Sequence, residues 1–233
     1  MNRSSCIFLP GFMCDGRLFD AQKRALEVHG HACMDGVLTS ADTIEGLAAA
    51  VLHSAPETFA VIGLSMGGIV ALELVRQAPQ RISHIALLNT THRADRAGAE
   101  RMAQLERVNR GELSLVLRNE LKPMYMHPSN RLPDRLELLS GMAEALGERV
   151  FEQQTKALMQ RSAYTETLAE IACPSLVLTG EDDTVCPPDL HHEIAKAIPE
   201  ARLTLIPQCG HLSTLEQPEI VSEALLDLLA RQL

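Results

Sequence analysis

No apolar run in this 233-residue chain approaches the roughly 18 residues of a membrane-spanning helix, so a membrane protein is not expected. Positive charge is also short. Twenty-one Lys and Arg against thirty Asp and Glu leave a net charge of -9, which argues against nucleic acid and against a basic membrane-binding face. Cys6, Cys14, Cys33, Cys173, Cys186 and Cys209 include no Cys-x-x-Cys pair and no metal-ligand spacing, so free thiols and no bound metal are expected. The start of the chain has only a four-residue apolar run before Pro10, too short for a signal-peptide core, and a cytoplasmic location is the expectation. There is no internal repeat and no low-complexity segment.

With 46% hydrophobic and 22% charged residues, the composition is that of a globular protein, sized for one α/β domain with an insertion. One stretch organises it. Phe59-Ala60-Val61-Ile62 is a short apolar run of strand length. It passes through Gly63-Leu64-Ser65-Met66-Gly67 and becomes a helical pattern containing Ile69, Val70, Leu72 and Leu74. A bare Gly-x-Ser-x-Gly arises by chance in roughly one chain in ten of this length, so its context decides its meaning. A strand turning sharply into a helix around a serine is a nucleophile elbow. The turn leaves no room for a Cβ two residues before or after the serine, which Gly63 and Gly67 satisfy. The serine is forced into a strained backbone conformation, above a helix N-terminus that favours negative charge.

In order along the chain, Ser4 to Leu9 reads as a strand, and Asp15 as the N-cap of a helix through Leu18, Phe19, Ala21, Gln22 and Leu26. A second strand is expected within 29–34, a helix over 43–53, the elbow strand and helix up to Pro79, and a strand over 82–88. This alternation predicts a doubly wound, mostly parallel sheet. From about 95 to 170 no strand is legible, only helical patterns punctuated by Gly111, Pro123, Pro128, Pro133 and Gly147. A helical lid over 94–170 is expected, with the α/β core formed by 1–93 and 171–233. The rhythm resumes with a strand through Leu176 to Gly180, a helix over 187–198 and a last strand over 203–206. A terminal helix over 217–233 turns Ile220, Val221, Leu225, Leu228 and Leu229 inward.

A serine nucleophile needs a base, an orienting acid and an oxyanion hole. His211 follows the last strand, in Gly210-His211-Leu212, and is preferred to His92, His127, His191 and His192, none of which closes that strand. The acid falls in Glu181-Asp182-Asp183, just past a strand end, with Asp183 favoured over its two neighbours. Serine, acid, histidine is the chain order this fold uses, and each comes from the loop after a different strand. The backbone N–H groups of Phe12 and Met66 are the expected oxyanion donors.

Together these residues resemble the α/β-hydrolase superfamily, and within it the small bacterial capped hydrolases related to enol-lactone hydrolases and carboxylesterases. The resemblance runs nearly end to end: Leu9-Pro10-Gly11-Phe12 as the oxyanion loop, Gly63 to Gly68 as the elbow, Gly180-x-x-Asp183-x-x-x-Pro187 as the acid motif and Gly210-His211 as the base motif. It implies Ser65 as nucleophile, His211 as base and then acid, Asp183 as the orienting acid, Phe12 and Met66 as oxyanion donors, and no cofactor. Pro10 stands where many relatives have histidine, and 34–42 is shorter than their corresponding loop.

The expected reaction is hydrolysis of a small ester or lactone through an acyl-enzyme. Met13, Met124, Tyr125 and Leu212 are expected to flank an apolar, adaptable pocket. Arg93 is a candidate partner for a substrate carboxylate, against a solvated role. Two rival reactions use the same triad, C–C bond hydrolysis and a cofactor-free haloperoxidase or perhydrolase activity. A non-catalytic ligand-binding receptor of the same fold is a third reading. The sequence leaves room for a homodimer.

Overall fold

The computed structural model describes residues 4–231. Six strands, β1 (Ser5–Leu9), β2 (Ala32–Asp35), β3 (Phe59–Leu64), β4 (Ile82–Leu88), β5 (Ser175–Gly180) and β6 (Arg202–Ile206), form one sheet in the order β2-β1-β3-β4-β5-β6. All five pairings are parallel. The chain winds outward from β1 in both directions, so a crevice opens beyond the strand ends near β1 and β3.

Both faces of the central strands are buried, and side-chain alternation divides them between two cores. Ile7, Leu9, Val61 and Leu87 point to one side, where α2 (Ile44–Ser54) packs on α3 (Met66–Gln77). Phe8, Ile62, Leu64 and Leu178 point to the other. There the first long helix, α1 (Asp20–Val28), packs on the terminal helix, residues Pro218–Leu229. Asp15 caps a preceding 3-10 turn, Gly16–Phe19, by accepting the Arg17 N–H at 3.0 Å. Thr43 caps α2 in the same way through Gly46.

Between β4 and β5 the chain is helical: α4 (Gly98–Val108), α5 (Leu113–Val116), α6 (Lys122–Tyr125), α7 (Pro133–Gln160) and α8 (Thr165–Glu170). Gly147 (φ 76°, ψ 179°) breaks α7 into two directions. After β5 come α9 (Pro188–Ala197), α10 (Ser213–Glu216) and α11, the terminal helix. Ile220 departs from expectation. It is 40% exposed, because the inward stripe of α11 runs through Val221, Leu225, Leu228 and Leu229, and Ile220 sits a full helical step away. The end of the expected helix, 232–233, lies outside the described residues, as do residues 1–3. No helix among the described residues is long and apolar enough to cross a membrane.

Candidate active site

Ser65 occupies the junction of β3 and α3 with φ 55° and ψ -115°, a conformation L-residues rarely adopt. A Cβ on Gly63 would overlap the backbone of Gly67, and one on Gly67 would overlap the Leu9 carbonyl. The spacing read in the sequence is therefore a steric requirement. The turn is pinned from two sides. Ser65 N–H donates to Leu88 O at 2.9 Å, and the Thr90 hydroxyl donates to Ser65 O at 2.7 Å.

His211 Nε2 lies 2.9 Å from Ser65 Oγ, and its Nδ1 lies 3.0 and 2.9 Å from Asp183 Oδ1 and Oδ2. An ionised carboxylate only accepts, so Nδ1 carries the proton, Nε2 is the acceptor, and the Ser65 hydroxyl donates to it. Asp183 and His211 are each 2% exposed. Burial alone would raise the Asp183 pKa. Electrostatic attraction to the His211 ring and hydrogen bonds from His211, Asn89 and the Cys186 N–H together outweigh it, and hold the carboxyl below its ordinary range. Val185 N–H and Cys186 N–H reach Oδ1 at 2.9 and 2.8 Å. Of the competing acids, Glu181 is exposed, and Asp182 is half-exposed beside His127.

The Gly11-Phe12 loop closes over the elbow, since a Cβ on Gly11 would stand 3.4 Å from Ser65 Cβ. Met66 opens α3, so its N–H has no intrahelical acceptor. Among the described residues no hydrogen bond occupies the N–H of either Phe12 or Met66.

A cavity of about 520 Å³ lies over these atoms, lined by Phe12, Ser65, Met66 and His211 from the α/β part and by Arg101, Leu121, Met124, Tyr125, Leu158 and Arg161 from the helical insertion. Met13 and Leu212 are not among its lining residues. Met13 has φ 53°, which turns its side chain into the core while its N–H donates to Gln154 Oε1 at 2.9 Å. Leu212 packs in the other core. Arg93 does line the cavity, but its Nη2 is held by both Glu193 carboxylate oxygens at 2.7 Å. Tyr125 stands beside His211, with ring centroids 5.6 Å apart, and its carbonyl accepts the N–H groups of His211 and Leu212 at 2.9 and 3.1 Å.

Sequence reading missed several supports. Asn89, fully buried with φ 46°, donates to Asp183 Oδ2 at 3.0 Å and Gly210 O at 3.1 Å, and accepts from Ser213 Oγ at 2.5 Å. The Glu216 carboxylate accepts the N–H groups of His127, Gly210 and Leu212 at 2.9, 3.0 and 3.1 Å, and the Asn130 amide at 3.1 Å. Buried His191 accepts Thr90 N–H through Nε2 at 2.9 Å. The available signals were weak: an asparagine closing a strand, and an acid five residues after the histidine. Among the described residues no three His, Cys, Asp or Glu side chains gather as metal ligands.

A model of the alpha/beta hydrolase fold family matches residues 22–218. BpoC of Mycobacterium tuberculosis, a protein named for a non-heme bromoperoxidase activity, is 32% identical over 183 residues, 73% of this chain and 67% of that protein. A thermophilic esterase of Thermogutta terrifontis superposes with TM-score 0.87 at 27% identity, over 97% of this chain and 90% of that one. An enol-lactonase of Burkholderia xenovorans shares the fold, with TM-score 0.88 at 20% identity over 99% and 93%. Family model, sequence relatives and fold agree, and the chain belongs to the α/β-hydrolase family.

Proposed function

We propose that this hydrolase cleaves a small ester or lactone through an acyl-enzyme formed on Ser65. The observation that carries the reading is the unbroken hydrogen-bond line from Ser65 Oγ through His211 to Asp183, at the floor of a half-open cavity. His211 Nε2 takes the hydroxyl proton as Oγ attacks the carbonyl, and ionised Asp183 stabilises the imidazolium. The tetrahedral oxyanion meets the free N–H groups of Phe12 and Met66, each typically worth about 3 kcal/mol in the transition state. His211 then protonates the leaving alkoxide. Water, deprotonated by the same nitrogen, releases the acid. No step calls for a cofactor.

Residues 94–170 act as a lid in this reading, and the core is 1–93 with 171–233. Its helices supply much of the cavity wall, so the lid governs which carbonyl reaches Ser65. A fluorophosphonate probe tests the assignment. It should label wild type rapidly and Ser65→Ala not at all, and p-nitrophenyl acetate turnover should vanish in the same variant. A probe that reacts no faster with native than with denatured protein would turn the reading to a non-catalytic receptor.

The similarity to a bromoperoxidase favours a second reading on the same residues, in which hydrogen peroxide replaces water and the acyl-enzyme is released as a peracid. A panel of p-nitrophenyl ester, lactone, vinylogous diketone, and peroxide plus acetate separates these reactions.

A further inference from the structure

The cavity carries a charge pattern opposite to that of the chain. The protein is acidic overall at -9, yet the charged side chains lining the cavity are Arg93, Arg96, Arg101 and Arg161 against only Asp95 and Glu100. Arg93 is matched by Glu193. Two of the remaining arginines converge on a single atom. Arg161 Nη1 and Arg101 Nε both donate to Asp95 Oδ1, at 2.9 and 3.2 Å. These groups are shielded from water, with side chains 7% exposed for Arg161, 22% for Arg101 and 4% for Asp95. One carboxylate therefore stands against two guanidiniums, leaving one positive charge in excess inside the wall.

The donors are unevenly used as well. Arg161 is anchored through Nε to Arg93 O at 3.1 Å and through Nη1 to Leu158 O at 2.9 Å, while its Nη2 has no acceptor among the described residues. The terminal nitrogens of Arg101 have none either, and its guanidinium carbon sits 6.0 Å from the Phe12 ring centroid. Phe12 thus links this patch to the oxyanion loop. A guanidinium held rigidly, partly desolvated and with spare planar donors is suited to a carboxylate. An uncompensated buried charge is costly until a counter-charge arrives.

We propose that Arg101 and Arg161 form an anion subsite, so that the compound cleaved at Ser65 is an ester or lactone that also bears a free carboxylate. This rests on the hydrolase reading above for the cleavage and on the arginine pair alone for the binding. Asp95 is then a positioning residue that aims both guanidiniums.

Binding and turnover are measured separately, so that the two can fail separately. Calorimetry on Ser65→Ala compares monomethyl glutarate with dimethyl glutarate, which places the acid on the acyl side. It also compares acetoxyacetic acid with its methyl ester, which places the acid on the alcohol side. In at least one pair the free acid should bind about tenfold or more tightly, the range of one charge-assisted hydrogen-bonded contact. Raising the salt concentration should weaken that preference. Arg101→Gln and Arg161→Gln in the same background should bring the ratio close to one. Melting curves are taken alongside, and the less buried Arg101 carries the test where Arg161→Gln fails to fold. Equal affinity of acid and neutral ester in both pairs would overturn the subsite, as would a preference that survives Arg101→Gln. Turnover of the same compounds by wild type reports on the hydrolase reading: acid-selective binding without any ester cleavage keeps the subsite and discards the reaction.

Discussion

Asn89 Nδ2 donates to Asp183 Oδ2 at 3.0 Å, and so ties the end of β4 to the acid that holds His211. The same nitrogen reaches Gly210 O, so one amide bridges the acid loop and the base loop. Asn89→Ala deletes these bonds and places an alanine at φ 46°. We expect a loss of about 2 kcal/mol, the cost of a hydrogen bond to a charged group, and a melting point about 4–8 °C lower. The kcat should fall about tenfold as Asp183 gains freedom to rotate. Unchanged melting and kcat would remove Asn89 from the machinery.

Ser65 separates chemistry from strain. Ser65→Ala and Ser65→Gly should both lose activity by several orders of magnitude. Only glycine relieves the backbone at φ 55°, and after its extra unfolded-state entropy a net gain of about 1 kcal/mol over alanine remains. Differential scanning calorimetry should find the glycine variant melting higher. An alanine variant of equal or greater stability would mean the elbow is unstrained.

Glu216 is a buried carboxylate whose neighbours are all donors. Glu216→Gln sets an amide N–H₂ against some of them, and should cost about 1–3 kcal/mol in a denaturant titration. Because Gly210 and Leu212 flank His211, the proposed base, kcat should fall while KM holds. A rise in KM with kcat intact would place the residue in substrate binding instead.

His191 contributes a pH dependence of known sign. Burial, outweighing the Pro187 carbonyl and the Asp183 charge, drops its pKa from 6.5 to about 4. The unfolded chain therefore binds a proton more readily between those values. Its contribution is complete above pH 6.5 and is lost as pH falls towards 4, a change of roughly 3 kcal/mol. His92 and His31, also lowered by burial, add in the same direction. Urea unfolding across this range should show stability falling with acid, and His191→Gln should flatten the slope. A variant with the wild-type slope would assign the effect elsewhere.

How far these relationships could be read in advance depended on their range. The elbow was legible because Gly63, Ser65 and Gly67 constrain one another within a single turn. Asp183 and His211 were legible because a parallel sheet brings successive strand ends to one edge, so chain order stands in for geometry. Asn89, Glu216 and Arg161 each depend on at least one partner 66 or more residues away, beyond any local pattern. Met13 and Phe12 were indistinguishable as neighbouring apolar residues. A positive φ at Met13 sends its side chain to the core and leaves Phe12 on the cavity. Arg93 is a candidate cation by its place after a strand, with a solvated role as the alternative, and neither reading anticipates Glu193, which engages it from 100 residues on.

The carbonyl of Tyr125, which receives the N–H groups of both His211 and Leu212, bears on how this enzyme could be re-engineered. Exchanging the helical insertion between relatives is an obvious way to transplant selectivity. Here such a graft would also replace the backbone segment whose carbonyl seats His211, so a chimera with a new wall but the old histidine loop keeps its imidazole in place only if the graft puts a carbonyl at the same position. The unit of exchange is therefore the insertion together with residues 210–216.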